Sequence, residues 1–258
     1  MSAYQHISFT VTDRAARVTL NRPPLNVLNI EMMREINVAL LDCLNLRELV
    51  AIVFEAAPEA RAFSAGVAVE DHVEETIYQM LESFHGIFRT LDQLATPVIA
   101  LVDGAALGGG CELVAACDIV IATERARFGQ PEIKLGVFPP VACILLPLIV
   151  GDKRARELIL TGELISARHA AQLGLVSHLV APEQLQVKLE EILSKLRELS
   201  ASSLESTRRA LDLGRGRSLT DVLSEVENIY LHELMKSDDA KEGVQAFMEK
   251  RKPVWRHR

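Results

Sequence analysis

Two glutamates carry the chemistry this sequence could do, because each stands beside backbone features that let a ligand come close. Glu112 follows Gly108-Gly109-Gly110-Cys111, and Glu132, twenty residues on, follows Gly129-Gln130-Pro131. Two carboxyls at one site divide into base and acid when their surroundings push the pKa values apart from the ordinary ~4.3. Such a pair titrates as a coupled unit. Taken singly, a glutamate is more often a solvated surface residue, and numbering alone does not bring the two together.

The stretch that must position Glu112 reads as a strand, a tight turn and a helix. Val98 to Val102 is an apolar run, Gly104, Gly108, Gly109 and Gly110 follow, and Glu112 to Cys117 reads as helical. Glycines let a ligand approach the backbone, and the first N–H groups of a helix have no partner inside it. The turn can therefore hold an oxygen bearing partial negative charge. Phosphate-loop readings fail on spacing: Gly110 is followed by Cys111-Glu112 rather than Lys-Ser/Thr, and the 104–110 run lacks Gly-x-Gly-x-x-Gly. A carboxylate there would also repel phosphate, so an anion formed during a reaction fits better. Close helix–strand packing that merely needs small residues explains the stretch equally well at this point.

With 258 residues and 49% hydrophobic content, the chain can bury one large core. A formal net charge of −7 makes nucleic acid a poor partner. Arg208, Arg209, Arg215, Arg217 and the tail Lys250 to Arg258 are locally basic and read as solvated faces. Cys43, Cys111, Cys117 and Cys143 show no metal-ligand spacing, so no metal site is implied and reduced thiols are expected. The N-terminal residues lack a basic and then apolar leader, which leads us to expect a cytoplasmic protein. Leu135 to Gly151 is uncharged but shorter than a membrane span and holds three prolines, so it reads as buried core and no membrane association is expected.

Along the chain, Ile7 to Val11 and Arg17 to Leu20 read as a hairpin, and Asn29 as the cap of a helix to about Leu46. Val50 to Glu55 and Ile119 to Ala122 read as buried strands, with a long amphipathic helix over Val73 to Leu94. Asp152 and Ser166 read as caps of two further helices, Leu175 to Val180 as a strand, and Pro182 as opening a helix to about Leu199. Three helices follow, over Ser203 to Leu213, Leu219 to Met235 and Asp239 to Lys250. The order predicts an α/β layered core over 1–200 and a helical part over 201–258 that could dock on a neighbouring subunit.

Four segments, in order along nearly the whole chain, resemble the motifs of the enoyl-CoA hydratase/isomerase (crotonase) family. They are Phe63-Ser-Ala-Gly66, Asp103-Gly-Ala-Ala-Leu-Gly-Gly-Gly-Cys-Glu112, Ala126-Arg-Phe-Gly-Gln-Pro-Glu132 and Phe247-Met-Glu-Lys-Arg-Lys-Pro253. The resemblance implies a spiral of ββα units with a helical C-terminal trimerisation part, assembled as a homotrimer or homohexamer. It implies an acyl-CoA substrate with no separate cofactor, CoA being part of the substrate. It places the oxyanion-binding N–H groups at Ala65 and Gly109. It makes Glu112 the group that orients and deprotonates a water, and Glu132 the group that protonates Cα. The segment Arg22 to Leu28, including Leu25 and Val27, and the residues Ala62 to Ser64 before the Ala65-Gly66 pair would lie against CoA. Phe247 and Lys250 would complete its nucleotide pocket, sometimes in the adjacent subunit; a helix C-terminal cation is an equal account of Lys250.

Departures from the family pattern fall on the acyl pocket. Ala68 stands where an Asp is usual, with Glu70, Asp71 and His72 displaced beyond it, and Pro139-Pro-Val-Ala-Cys replaces the usual small residues and glycines after Glu132. Leu107, Val137, Phe138, Pro140 and Val141, with Gly66, Val67 and Pro139, would give an apolar, rigid pocket suited to a compact or cyclic acyl group. The 66–72 and 138–142 stretches are similar to hydratases acting on cyclic dienoyl-CoA esters of aromatic degradation. Tyr78, Cys143 and His72 are further pocket candidates, each also explained by packing or a solvated helix start. Hydration is the reading the two glutamates favour. A double-bond isomerase needs only one of them, and a non-catalytic RNA-binding or scaffold member is disfavoured by the acidic charge.

Overall fold

The computed structural model describes residues 4–257; Met1 to Ala3 of the leader reading and Arg258 of the basic tail lie outside them. Alternating apolar and polar side chains make β1 (Ile7–Thr12) and β2 (Ala15–Leu20) an antiparallel hairpin. The reversal falls on Asp13 and Arg14, at φ 47° and 63°. Next come α1 (Ile30–Cys43), β3 (Ala51–Ala56), β4 (Ala62–Ser64) and α2 (Ile77–Gln93). They are followed by β5 (Val98–Val102), β6 (Ala105–Leu107), α3 (Gly109–Ala115), β7 (Ile119–Thr123) and β8 (Arg127–Gly129). A 3₁₀ turn over Pro131–Leu135 leads into α4 (Pro140–Val150). Three times, then, the chain runs a strand of one sheet, a short strand of a second sheet, and a helical segment. This is the expected spiral of ββα units.

After α4 come α5 (Asp152–Thr161), β9 (Leu164–Ser166), α6 (Ala167–Gln172), β10 (His178–Val180) and α7 (Leu185–Arg197). The large sheet has the order β1-β2-β3-β5-β7-β10 and is parallel beyond the hairpin; the small one is β4-β6-β8-β9, with only β9 antiparallel. A parallel sheet must be covered on both faces, and period-two alternation sorts its side chains. Ile52, Phe54, Val98, Ala100 and Val102 face the main core with α1 and α2, while Val53, Ile99, Leu101 and Ile121 meet Leu189, Ile192 and Leu193 of α7.

The helical part consists of α8 (Ala201–Gly214), α9 (Leu219–His232) and α10 (Asp238–Glu249). Contrary to the reading of its arginines as solvated, Arg208 is buried and fastens α8 to the core. Its Nε donates to Asp118 Oδ2 at 2.8 Å and its Nη1 to the carbonyls of Leu91 and Leu94, which close α2. Asp118 in turn accepts from Val98 N–H at 2.7 Å, so one carboxylate links α8 to the start of β5.

Other expectations change for identifiable reasons. The supposed turn after Val102 contains β6, whose three residues pair with β4 and β8 rather than with sequence neighbours. Helix α3 starts at Gly109, three residues early, and α2 starts at Ile77, four residues late, because residues 74–76 form a turn. Asp152 is the first residue of α5 behind Gly151 at φ 81°, not its cap, and pairs with Arg156 one turn on. The 175–180 strand shortens to β10. The 135–151 stretch is not uniformly buried either: Leu135, Phe138, Ile144 and Leu148 are exposed. Among the described residues, no helix is long and apolar enough to cross a membrane.

The Arg208 clamp sets an expectation. Arg208→Ala takes from Asp118 its buried cationic partner and from the carbonyls of Leu91 and Leu94 their arginine donor, and should lower unfolding free energy by about 3 kcal/mol in urea titration. An unchanged midpoint would show that α8 is held by apolar packing alone.

Candidate active site

Glu112 is carried by α3, a helix of seven residues, all of them buried. Its side chain is 2% exposed, and Oε1 accepts a hydrogen bond from Ala142 N–H at 2.8 Å. That N–H belongs to the first turn of α4, where Pro140 occupies the opening position and Ala142 N–H lacks an intrahelical acceptor. Burial pushes the Glu112 carboxyl up to about 7; the Ala142 N–H pulls it back down, and the nearby charge of Glu132 raises it further.

Glu132 comes from the other direction, on the 3₁₀ turn after β8. Its Oε1 rests on the backbone at Gly108, where an added Cβ would lie only 2.5 Å away, and Gly108 holds φ +49°. A side chain there would displace the carboxylate and strain the backbone, so a glycine is required. Oε2 of Glu132 is buried without a hydrogen-bond partner among the described residues, and burial raises its pKa too. The fold thus brings the two glutamates of the sequence pattern to one cavity.

The N–H groups facing that cavity correct the sequence-based expectation in one respect. Ala65 N–H donates to Leu25 O at 2.9 Å and Gly66 N–H to Ser64 Oγ at 3.1 Å, so neither is free for a ligand. Leu28 pairs in parallel with Val67: Leu28 N–H donates to Gly66 O and Ala68 N–H to Leu28 O, each at 2.9 Å. Because successive peptide groups of an extended chain point to opposite sides, Val67 N–H is turned away from Leu28. Val67 lies directly against Gly109, where an added Cβ would come within 2.7 Å of Val67 Cγ2. Gly109 opens α3, so its N–H has no partner within the helix. Val67 and Gly109, not Ala65 and Gly109, are the pair that can donate together.

The cavity has a volume of about 380 Å³. The same periodicity that reads in sequence as a core-facing stripe places Ile77, Met80, Leu81 and Phe84 of α2 along its wall, opposite Val137 and Phe138. Among the expected site residues, Ala65, Gly66, Val67, Gly109, Glu112, Glu132, Pro139 and Pro140 line it, as do His72 and His85. Leu107, Val141, Tyr78 and Cys143 do not; Tyr78 and Cys143 are exposed elsewhere. Asp71, which follows the position of the usual Asp, accepts from Ile30 N–H at 3.2 Å and so serves the start of α1.

The expected CoA-binding residues lie outside the cavity. Ala62 and Ser64 are buried in β4, so their side chains cannot touch a ligand. Arg22 donates to Val27 O at 3.0 Å, which leaves Leu25 exposed and Val27 half-buried on the same loop. Phe247 and Lys250 are exposed at the end of α10. One residue without any signal in the sequence organises this region: Asn26 is fully buried, accepts from Arg22 N–H at 2.8 Å and donates to the carbonyls of Ala62 and Phe63 at 3.1 Å each.

Chemically, the site sets two carboxyls of raised pKa, able to hold and move a proton, in one cavity with Val67 and Gly109. A family model described as enoyl-CoA hydratase/isomerase matches residues 11–258. The chain is 37% identical over 242 residues to the cyclohexa-1,5-dienecarbonyl-CoA hydratase of Thauera aromatica, covering 94% of this chain and 93% of that protein. It is 36% identical to the short-chain-enoyl-CoA hydratase of Clostridium acetobutylicum, over 93% of each. The crystal structure of an enoyl-CoA hydratase from Bacillus anthracis superposes with a TM-score of 0.92 at 32% identity, covering 98% of this chain and all of that one.

A raised carboxyl has a thermodynamic signature. The folded-state pKa of Glu112 lies above its unfolded value, so its contribution to stability is complete below about pH 4.5 and is lost as pH rises through about 7. Unfolding titrations across that interval should show a falling limb that Glu112→Gln flattens. A parallel slope in the variant would place the raised carboxyl elsewhere.

Proposed function

Because the chain belongs to the enoyl-CoA hydratase/isomerase family, we propose that it is a hydro-lyase adding water across the double bond of an α,β-unsaturated acyl-CoA thioester. The observation that carries this reading is the meeting of Glu112 and Glu132 in the same cavity as the free N–H groups of Val67 and Gly109. An isomerase moves one proton within its substrate and needs one carboxyl. Adding water needs a proton removed from oxygen and another delivered to carbon.

In the proposed reaction the thioester oxygen accepts hydrogen bonds from Val67 and Gly109. Water oxygen bonds to Cβ as Glu112 carboxylate takes its proton, and the double-bond electrons shift onto the thioester oxygen as an enolate. The enolate then collapses as protonated Glu132 gives its proton to Cα, so one carboxyl gains the proton the other loses. Exchange with solvent resets the pair. The charge of Glu132 raises Glu112, so a pair that holds one proton between them is favoured over two ionised carboxylates in one buried site. Each oxyanion donor is worth about 10²–10³ in rate.

The apolar wall of Ile77, Leu81, Phe84, Val137 and Phe138 suits a compact or cyclic acyl group, and the likeness to the Thauera aromatica protein supports a cyclic dienoyl ester. The CoA portion would run out past the Arg22 to Val27 loop. Phe247 and Lys250 would complete its nucleotide pocket from an adjacent subunit of a trimer or hexamer, Lys250 as a point charge for phosphate.

The reading is tested by Glu112→Gln and Glu132→Gln, each expected to lower kcat by about 10²–10⁴ while a saturated, unreactive acyl-CoA still binds. With ¹⁸O-labelled water the wild-type product should be a labelled hydroxyacyl-CoA. Full activity in both variants, or an unlabelled product with a shifted double bond, would refute it.

A further inference from the structure

We propose that Ser64 is a positioning residue of the oxyanion site, its hydroxyl fixing the peptide that carries Val67 N–H in place beside Gly109. This rests on the reading of the cavity as an enoyl-CoA site and deepens it, by naming what keeps the two donors together.

Gly66 is the weak joint between them. It stands at φ +104°, a conformation that favours glycine, and a glycine is free to turn about both of its backbone bonds. Each of its two peptide groups is pinned by one hydrogen bond. Gly66 N–H donates to Ser64 Oγ at 3.1 Å, and Gly66 O accepts from Leu28 N–H at 2.9 Å. The second of these peptides is the one that carries Val67 N–H. Removing the Ser64 bond leaves it held from one side only. The clearance is small, because a Cβ added to Gly66 would lie 3.0 Å from Leu107 O and 3.5 Å from Gly109 N. A modest rotation at Gly66 therefore changes the separation of the two donors.

Ser64 is anchored well enough to serve as that pin. It is fully buried, and its Oγ donates to Asn26 O at 2.8 Å while accepting from Gly66 N–H, so the hydroxyl is used in both senses. Asn26 Nδ2 also holds the carbonyls of Ala62 and Phe63, the two residues before Ser64. Strand β4 is irregular here: Ala62 and Ser64 pair with the consecutive residues Ala105 and Ala106 of β6, a bulge that re-aims the chain leaving the strand. On its other side Ser64 lies against the first turn of α3, where a Cβ added to Gly110 would come within 2.7 Å of Ser64 Cβ. One residue thus touches Gly66 just before Val67 and Gly110 just after Gly109. Packing accounts for a small side chain at this place but not for its hydroxyl. Alanine would fill the same space against Gly110 and take from Gly66 N–H and Asn26 O their partner.

The test measures turnover of crotonyl-CoA and cyclohexa-1,5-dienecarbonyl-CoA by wild type, Ser64→Ala and Ser64→Cys. It also follows the thioester carbonyl band of bound cyclohexanecarbonyl-CoA, a saturated ester that cannot react, by isotope-edited infrared spectroscopy. Ser64→Ala should lower kcat by about 10–100-fold, part of the loss expected for a whole oxyanion donor, with KM changed by less than about threefold. Binding to wild type should shift the carbonyl band to lower frequency, and Ser64→Ala should return it toward the position of the free ester. The pH profile of kcat should keep its midpoints, because Ser64 bonds to neither glutamate. Ser64→Cys, which keeps a weak donor and acceptor, should fall between the two and carries the test if the alanine variant does not fold. Unchanged kcat and carbonyl band in both variants overturns the proposal for Ser64, as does a fall in kcat with an unmoved band or a displaced pH profile. Each of those results leaves the hydratase reading intact as long as wild type hydrates one of the esters. A wild type that hydrates neither and leaves the carbonyl band unshifted brings down both.

Discussion

The site depends on keeping the Glu112 carboxyl inside the protein, held by backbone N–H groups at the start of α4, Ala142 foremost. An ionised carboxylate removed from water is costly unless something answers its charge. Here the answer is the N-terminus of α4, whose first free N–H groups and dipole point at Oε1. That answer is incomplete, which is why the carboxyl is raised rather than lowered. A fully solvated glutamate would be too weak a base near neutral pH, and a well-paired one weaker still. The backbone contacts at Val141 and Ala142 orient the group, and burial makes it basic.

A second constraint follows from the first. Glu132 reaches the same cavity over the backbone at Gly108, while Gly109 lets Val67 come into contact with the start of α3. These approaches are possible because the chain alternates between two sheets. Strand β6 holds Gly108 and Gly109 beside β4, which leads to Val67, and beside β8, which leads to Glu132. Three pieces of the site distant in sequence are therefore set by the register of strands only three residues long.

That geometry also explains which parts were legible in the sequence. The hairpin, the caps Asn29 and Ser166 and the helical stripes are written in local periodicity and hydrogen-bonding types, and the structure reproduces them. Glu112 and Glu132 stand out because each sits beside a glycine that packing demands. The choice between Ala65 and Val67 as donor was not legible. Which way a peptide N–H points depends on pairing with Leu28, some forty residues away, and no residue type near Ala65 records it. Strand β6 was hidden for the same reason, since its pairing is entirely non-local. Arg208 looked like an exposed charge because its partners, Asp118 and the end of α2, come from elsewhere in the chain.

The division of the cavity into a polar end and an apolar end gives the arrangement its chemical sense. Hydrogen bonds and charges act more strongly where water is excluded, and the wall of α2 packs up to the start of α3, where an added Cβ at Gly109 would come within 2.9 Å of the Phe84 ring. The same dryness raises both carboxyls, and in the proposed reaction it would couple the stabilisation of a developing oxyanion to the basicity of the group that generates it. A more polar wall would weaken both at once. An added methyl at Gly108 would displace Glu132 and strain the backbone that leads into Gly109, disturbing both ends of the cavity at once.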